Sequence, residues 1–261
     1  MTLFSELLAT MTHQDDAWHA HVPEDWQQGR TTYGGLTAAL CAEAALRTVP
    51  GLPKLRCAQF AFVGPAAGAV RMTATIMRQG KSTVFVSADL FGAQGLATHA
   101  TLCFGAARAS SLRYRHVPMP AAPLPEACGA FFGAFAPTFS QHFDYRNAGG
   151  ASPASAAATP EFLIWLRHRD AMAGDGAAAL IALADAPPPA AMALFAAPAP
   201  ISTMTWSLDL FDTAAEPPDR WLLMQTRADV ASHGYSGQAM ALWTQTGEPL
   251  LLARQNVAVF A

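Results

Sequence analysis

Four apolar runs of strand length fill the first half of the chain, at 55–63, 70–79, 82–91 and 96–106. Between 70 and 76, Val70, Met72, Ala74 and Ile76 fall on one face and Arg71, Thr73 and Thr75 on the other, which is the period-two signature of a half-buried strand. Gly64-Pro65, Gly80-Lys81 and the Gly92 to Gly95 segment separate the runs and read as turns. Residues 2–11 predict a short helix and residues 16–22 a first strand. After Tyr33-Gly34-Gly35 comes LTAALCAEAALRTV, with Leu36, Leu40 and Leu46 as an apolar stripe and Pro50-Gly51 as a stop. It predicts a buried helix of about four turns. A sheet with one apolar face needs a cover, and this helix is the obvious one.

The second half repeats the theme. Strands are expected at 141–146, 161–169, 201–211, 221–230, 236–245 and 250–260, and a helix within the apolar segment 176–194. Leu90, Phe91 and Gly95 recur at one constant offset as Leu242, Trp243 and Gly247. Gly80 and Ser82 recur at a slightly longer offset as Gly234 and Ser236. Offsets drift at turns, where insertions are tolerated. Two similar halves are therefore expected, with a site between them or specialised in one of them. Between the halves, the prolines at 118, 120, 123, 125 and 137 mark a long connection.

Composition narrows the function classes. Hydrophobic residues make up 52% of the 261 and charged residues 13%, enough apolar material for a large core. A net charge of −3 offers no basic footprint for nucleic acid and no polybasic membrane patch. The N-terminal MTLFSELLATMTHQDD lacks a positive leader region. The most apolar stretch, 176–201, is interrupted by Asp185 and Pro187-Pro188-Pro189 and cannot form a spanning helix. The expected setting is the cytoplasm. Cys41, Cys57, Cys103 and Cys128 form no CxxC pair and read as buried free thiols. No zinc-type cluster, P-loop, GxGxxG after a strand or GxSxG elbow is present, so neither metal nor cofactor is expected. Gly234-Tyr235-Ser236-Gly237 reads as a turn, and His99 as an ordinary strand residue.

Four places invite chemistry, each with an ordinary alternative. Asp185 sits in ALIALADAPPPAAMAL, a segment that otherwise buries itself; it is either a functional acid or a turn aspartate ahead of the prolines. Gln255, in LLLARQNVAVF, is either a buried amide in need of partners or an edge residue facing water. Thr203, in PISTMTWSLDLF, is unremarkable for a strand on its own. Gly34 and Gly35 open the first long helix, where free N–H groups stabilise negative charge, or simply form a tight turn.

RTTYGGLTAALCAEAA, QFAFVGP, RQGKSTVFVSADLF, WLRHRD, LADAPPPAAM, ISTMTWSLDLF and ARQNVAVF, in that order, resemble the acyl-CoA thioesterases of the tandem or double hotdog fold, the thioesterase II type and its relatives. The resemblance covers about residues 16–261. It implies an α+β double hotdog, in which each half is a long helix wrapped by an antiparallel sheet. The N-terminal hotdog would span 1–110, a linker 111–140 and the C-terminal hotdog 141–261. It further implies hydrolysis of an acyl-CoA or related acyl thioester in lipid metabolism. Asp185, Thr203 and Gln255 match the acid, hydroxyl and amide that activate water in that family, with Gly34 and Gly35 as oxyanion or substrate-binding groups. Ala184 replaces a serine common before the acid, and Thr205 stands where other members carry a second acid. A non-catalytic acyl-CoA-binding hotdog is the alternative. A hotdog hydratase would carry His five residues after the acid, where this chain has Ala190. A tandem chain is already a pseudo-dimer, and further pairing into a homo-dimer or higher homo-oligomer is compatible with it. Arg71, Arg78 and Lys81 read as solvated surface charges or as contacts to coenzyme A phosphates.

Overall fold

A computed structural model describes residues 1–133, 136–211 and 220–261. The first half runs α1 (Phe4–Ala9), β1 (Thr12–Gln14), β2 (Ala17–Val22), β3 (Gln27–Gln28), β4 (Thr31–Thr32), α2 (Gly34–Thr48), β5 (Leu55–Phe62), β6 (Gly68–Gln79), β7 (Thr83–Gly92) and β8 (Gly95–Gly105). The second half runs β9 (Phe143–Gly150), β10 (Glu161–His168), α3 (Ala177–Ala184), β11 (Ile201–Leu210), β12 (Leu222–Ser232), β13 (Tyr235–Thr244) and β14 (Pro249–Val259). β3 and β4 form a two-stranded ribbon that the apolar pattern did not announce.

The other twelve strands make one antiparallel sheet, in the order β1-β2-β6-β7-β8-β5-β11-β14-β13-β12-β10-β9. The order is palindromic about the β5–β11 seam, where Phe60 lies opposite Trp206 and Gln59 opposite Ser207. The duplication read in the sequence is thus a structural one, and the tandem helix-plus-sheet architecture expected above is found. The tight repeat at Gly80 and Gly234 is a hairpin in both halves. His233 and Gly234 both have positive φ (52° and 80°), as a two-residue turn matched to the strand twist requires.

α2 lies in the cradle of the sheet, against α3 and strands β6 to β8. Ten of its fifteen residues are buried, among them Ala38, Ala39, Ala42, Ala44 and Ala45. Small side chains let the helix approach both sheet and partner helix, so its burial extends well beyond the leucine stripe. The helix of the second half is shorter than expected. α3 ends at Ala184, Asp185 caps it, and Pro187-Pro188-Pro189 prevents its continuation, because three successive residues lack an N–H and hold fixed φ. The rest of the apolar segment is a 3₁₀ turn at Ala190–Leu194. Of the four free cysteines only Cys41 is buried; Cys57, Cys103 and Cys128 are half-buried, two of them on opposed strand positions of β5 and β8. Among the described residues no helix is long and apolar enough to cross a membrane.

The connection between the halves is structural in its own right. It crosses the outer face of the second half, where Trp165 Nε1 donates to the Pro123 carbonyl (2.7 Å) and Trp243 Nε1 to that of Val117 (2.8 Å). Its distal end turns inward and delivers Phe131 and Phe139 to the core.

Candidate active site

Asp185 ends α3 directly against the first residues of α2. Tyr33 makes that juncture. Its ring stacks on Phe139 (centroids 3.9 Å apart) and its hydroxyl donates to the Ala182 carbonyl (2.8 Å), which a helix ending at Ala184 leaves without an intrahelical partner. Tyr145 donates to the Ala186 carbonyl beyond the helix end (3.4 Å). Burial holds both phenols protonated, so each is a neutral donor beside the acid.

Gly34 and Gly35 differ in role. A Cβ on Gly34 would lie 3.1 Å from Asp185 Oδ2, so the glycine lets the carboxylate sit on the helix start. Gly34 lines the cavity described below, whereas Gly35 is buried behind it with its N–H turned to the Asp185 carboxyl. The Gly35 N–H is thus engaged by the acid, and of the two glycines Gly34 is the one that lines the cavity.

Gln255 is on the inner face of β14, 5% exposed, and its Nε2 donates to Asp185 Oδ1 (2.8 Å). β14 is an interior strand between β11 and β13, which removes the edge-strand alternative. Its Oε1 accepts from Gln238 Nε2 (2.6 Å), and Gln238 Oε1 accepts from the Ala190 backbone N–H (2.7 Å).

Thr203 reaches the same space through a β-bulge. Strict alternation back from Leu208 and Trp206 would turn Met204 inward and Thr203 outward. The register shifts between Thr203 and Thr205, so Thr203 stands opposite the fully buried Val257 and faces inward. Asp185, Thr203, Gln255 and Gly34 all line one cavity of about 900 Å³, with Thr37, Phe62 and Thr98 from the first half and Phe132 and Phe139 from the connection. Neither aromatic had been singled out in the sequence, where a proline-rich connector carries no periodicity to place it.

Burial pushes the Asp185 carboxyl up from 3.8 to about 7, against the N–H groups of Gln255 and Gly35, which favour the charged form. A carboxylate that shares protons near neutrality at the wall of a cavity can act as a general base. Among the described residues no group of His, Cys, Asp or Glu is arranged to hold a metal ion. Arg71, Arg78 and Lys81 are exposed and none lines the cavity. His99 pairs with Asp89 across β7 and β8 (2.7 Å), and neither lines the cavity.

At the matching strand positions the first half lacks the hydroxyl and the amide. Its strand β5 has the same bulge, between Leu55 and Cys57, so Leu55 occupies the place of Thr203 and Leu102 that of Gln255. Thr203 and Gln255 therefore have apolar counterparts in the first half.

Comparison with known proteins agrees with this architecture. Residues 22–105 match the family described as acyl-CoA thioesterase N-terminal domain, and residues 116–259 the one described as acyl-CoA thioesterase C-terminal domain. A hot dog fold protein of unknown function from Alicyclobacillus acidocaldarius is 25% identical and superposes with a TM-score of 0.88, over 100% of this chain and 99% of that one. An acyl-CoA thioesterase II from Mycobacterium marinum is 18% identical, with a TM-score of 0.77 over 98% of this chain and 97% of that one. A search of curated proteins gave no match.

Proposed function

The chain belongs to the acyl-CoA thioesterase family, with both domains in tandem, and we propose that it hydrolyses acyl-CoA, or a related acyl thioester, by a water molecule activated at Asp185. The observation that carries this reading is a carboxyl of pKa about 7, bonded to the Gln255 amide at 2.8 Å and opening with Thr203 onto one large cavity.

In this mechanism the thioester carbonyl lies at the start of α2. The Gly34 N–H stabilises the developing oxyanion, and the positive end of the helix adds to it. Water is held by Asp185, by the Thr203 hydroxyl and by the second N–H of the Gln255 amide. Asp185 takes one proton as the oxygen attacks the carbonyl carbon. The tetrahedral intermediate collapses, the carbon–sulfur bond breaks, and the proton passes to the departing thiolate. The products are a free acid and a thiol. No covalent acyl-enzyme is required, which fits the missing nucleophile elbow. The acyl group runs into the apolar part of the cavity beside Phe62, Phe132 and Phe139.

Thiol release from a series of acyl-CoAs of increasing length tests the proposal; tight binding with no release would indicate a binding protein instead. The pH profile is a second expected result. The base form is needed, so kcat/KM should climb as pH rises through about 7 and then level off. At one unit below that pKa about a tenth of the carboxyl is ionised, and the rate should be about tenfold below its plateau. A flat profile between pH 5 and 8 would count against Asp185 as the base. Thr203→Val, nearly isosteric, should lower kcat about tenfold with little change in KM, as expected for one lost hydrogen bond to the attacking water.

A further inference from the structure

We infer that Gln238 is a positioning residue for the reaction proposed above: its carboxamide dictates which end of the Gln255 amide faces Asp185. The inference rests on the reading of Asp185 as the base and concerns a residue that touches no substrate. Gln238 is 1% exposed and is not part of the cavity wall.

The polarity of the chain of contacts follows from one unambiguous group. A backbone N–H can only donate, so the Gln238 atom 2.7 Å from the Ala190 nitrogen is its oxygen. The other end of Gln238 is then a donor, and the Gln255 atom 2.6 Å from it is an oxygen. This leaves the Gln255 nitrogen to face Asp185 Oδ1 at 2.8 Å. Had either amide been reversed, two acceptors or two donors would oppose each other at hydrogen-bond distance, a costly arrangement in a buried site. The prolines at 187–189 have no N–H to offer, so the first donor beyond Ala186 is that of Ala190, and it starts the relay.

The internal repeat shows that the fold does not need this polar pair. Gln238 lies opposite Gln255 on β13 and β14. At the matching register of the first half, Val86 lies opposite Leu102, both fully buried. The same sheet is built there with two apolar residues, and the two glutamines occur together in the half that carries the acid.

Without Gln238 the Gln255 amide is free to turn over and present its oxygen to Asp185. That orientation pairs with a protonated carboxyl and opposes an ionised one. The relay therefore favours the base form against the burial that disfavours it. Among the described residues Tyr33 and Tyr145 are the ionisable groups that sense the carboxyl, and both remain neutral across the relevant range.

Gln238→Val, which copies the first half, is the test, with Gln238→Glu as a variant that keeps the side-chain length. For Gln238→Val the expected result is a kcat lowered about tenfold or more, KM nearly unchanged, and an acid limb of the pH–rate profile moved to higher pH. In Gln238→Glu the new carboxyl can still donate to Gln255 when protonated, so its deficit should deepen as pH rises. A double-mutant cycle separates positioning from packing. In a Gln255→Leu background, Gln238→Val should cost no further activity, because its effect passes through the Gln255 amide. An active wild type whose Gln238→Val variant keeps both kcat and acid limb, or losses that add in the double mutant, would overturn the inference. Wild-type protein that releases no thiol from any acyl-CoA sinks the hydrolase reading instead. The relay is then read from the Asp185 carboxyl by NMR titration, where an unshifted pKa in Gln238→Val overturns it as well.

Discussion

Asp185→Asn is expected to lower kcat by about 10²–10⁴-fold while the protein still folds and still binds acyl-CoA. The substitution keeps the side-chain shape and removes the ability to take a proton, together with one of the two acceptor oxygens that the Gln255 amide and the Gly35 N–H address. Gln255 can still donate to the remaining oxygen, so the 2.8 Å contact that positions the side chain survives. A second signature accompanies the loss. The folded-state pKa of about 7 lies above the unfolded value of 3.8, so the folded protein binds the proton more tightly. The stability that the protonated group contributes is fully present below the unfolded pKa and is lost as pH rises through about 7. Asparagine does not titrate. Thermal melts should therefore show the variant gaining on wild type between pH 5 and 8, by at most a few kcal/mol. A variant that keeps more than a tenth of wild-type kcat would remove Asp185 from the chemistry.

Gly35→Ala is expected to destabilise the protein by about 3 kcal/mol and to disable it at the same time. In most helices the exchange would gain about 0.5–1 kcal/mol, since alanine is the better helix former. Here a Cβ would land on the Tyr33 hydroxyl oxygen and 2.5 Å from the ring carbon that carries it. The ring cannot retreat without leaving the Phe139 stack and the Ala182 carbonyl. Overpacking and the broken buried hydrogen bond outweigh the propensity gain. Because the same contact ties α3 to α2, Asp185 should shift from the Gly34 corner, and turnover should fall with stability. Denaturant melts measure the first effect. Repeating them in a Tyr33→Ala background checks the cause, since the extra loss should largely vanish once the ring is gone. A Gly35→Ala variant as stable as wild type would show that the helix start has room to move.

How far the site could be read from the chain differs from residue to residue. Asp185 was exposed by its own incongruity, an acid in an apolar segment. Gln255 stood out for the same reason in a strand. Gln238 carried a similar signal: Ser236, Gln238, Met240 and Leu242 share the buried face of β13, and a glutamine there asks for partners. The signal was missed because the strand opens with polar residues that resemble the preceding turn. Thr203 could not have been oriented by alternation at all, since the bulge at Met204 reverses the face on which it would otherwise fall. Phe132 and Phe139 lie in or beside a proline-rich connection, where no period exists to suggest that they point inward.

The order of the main strands and helices and the duplication were determined by the sequence itself, because each depends on steric and solvation preferences acting within a few residues. Which polar atoms meet was decided only by tertiary structure. Asp185 and Gln255 are far apart along the chain, and their contact depends on strand register, on one inserted residue and on a tyrosine that joins two helix ends. Local preferences are additive along a chain, whereas a cavity exists only when distant segments close around it.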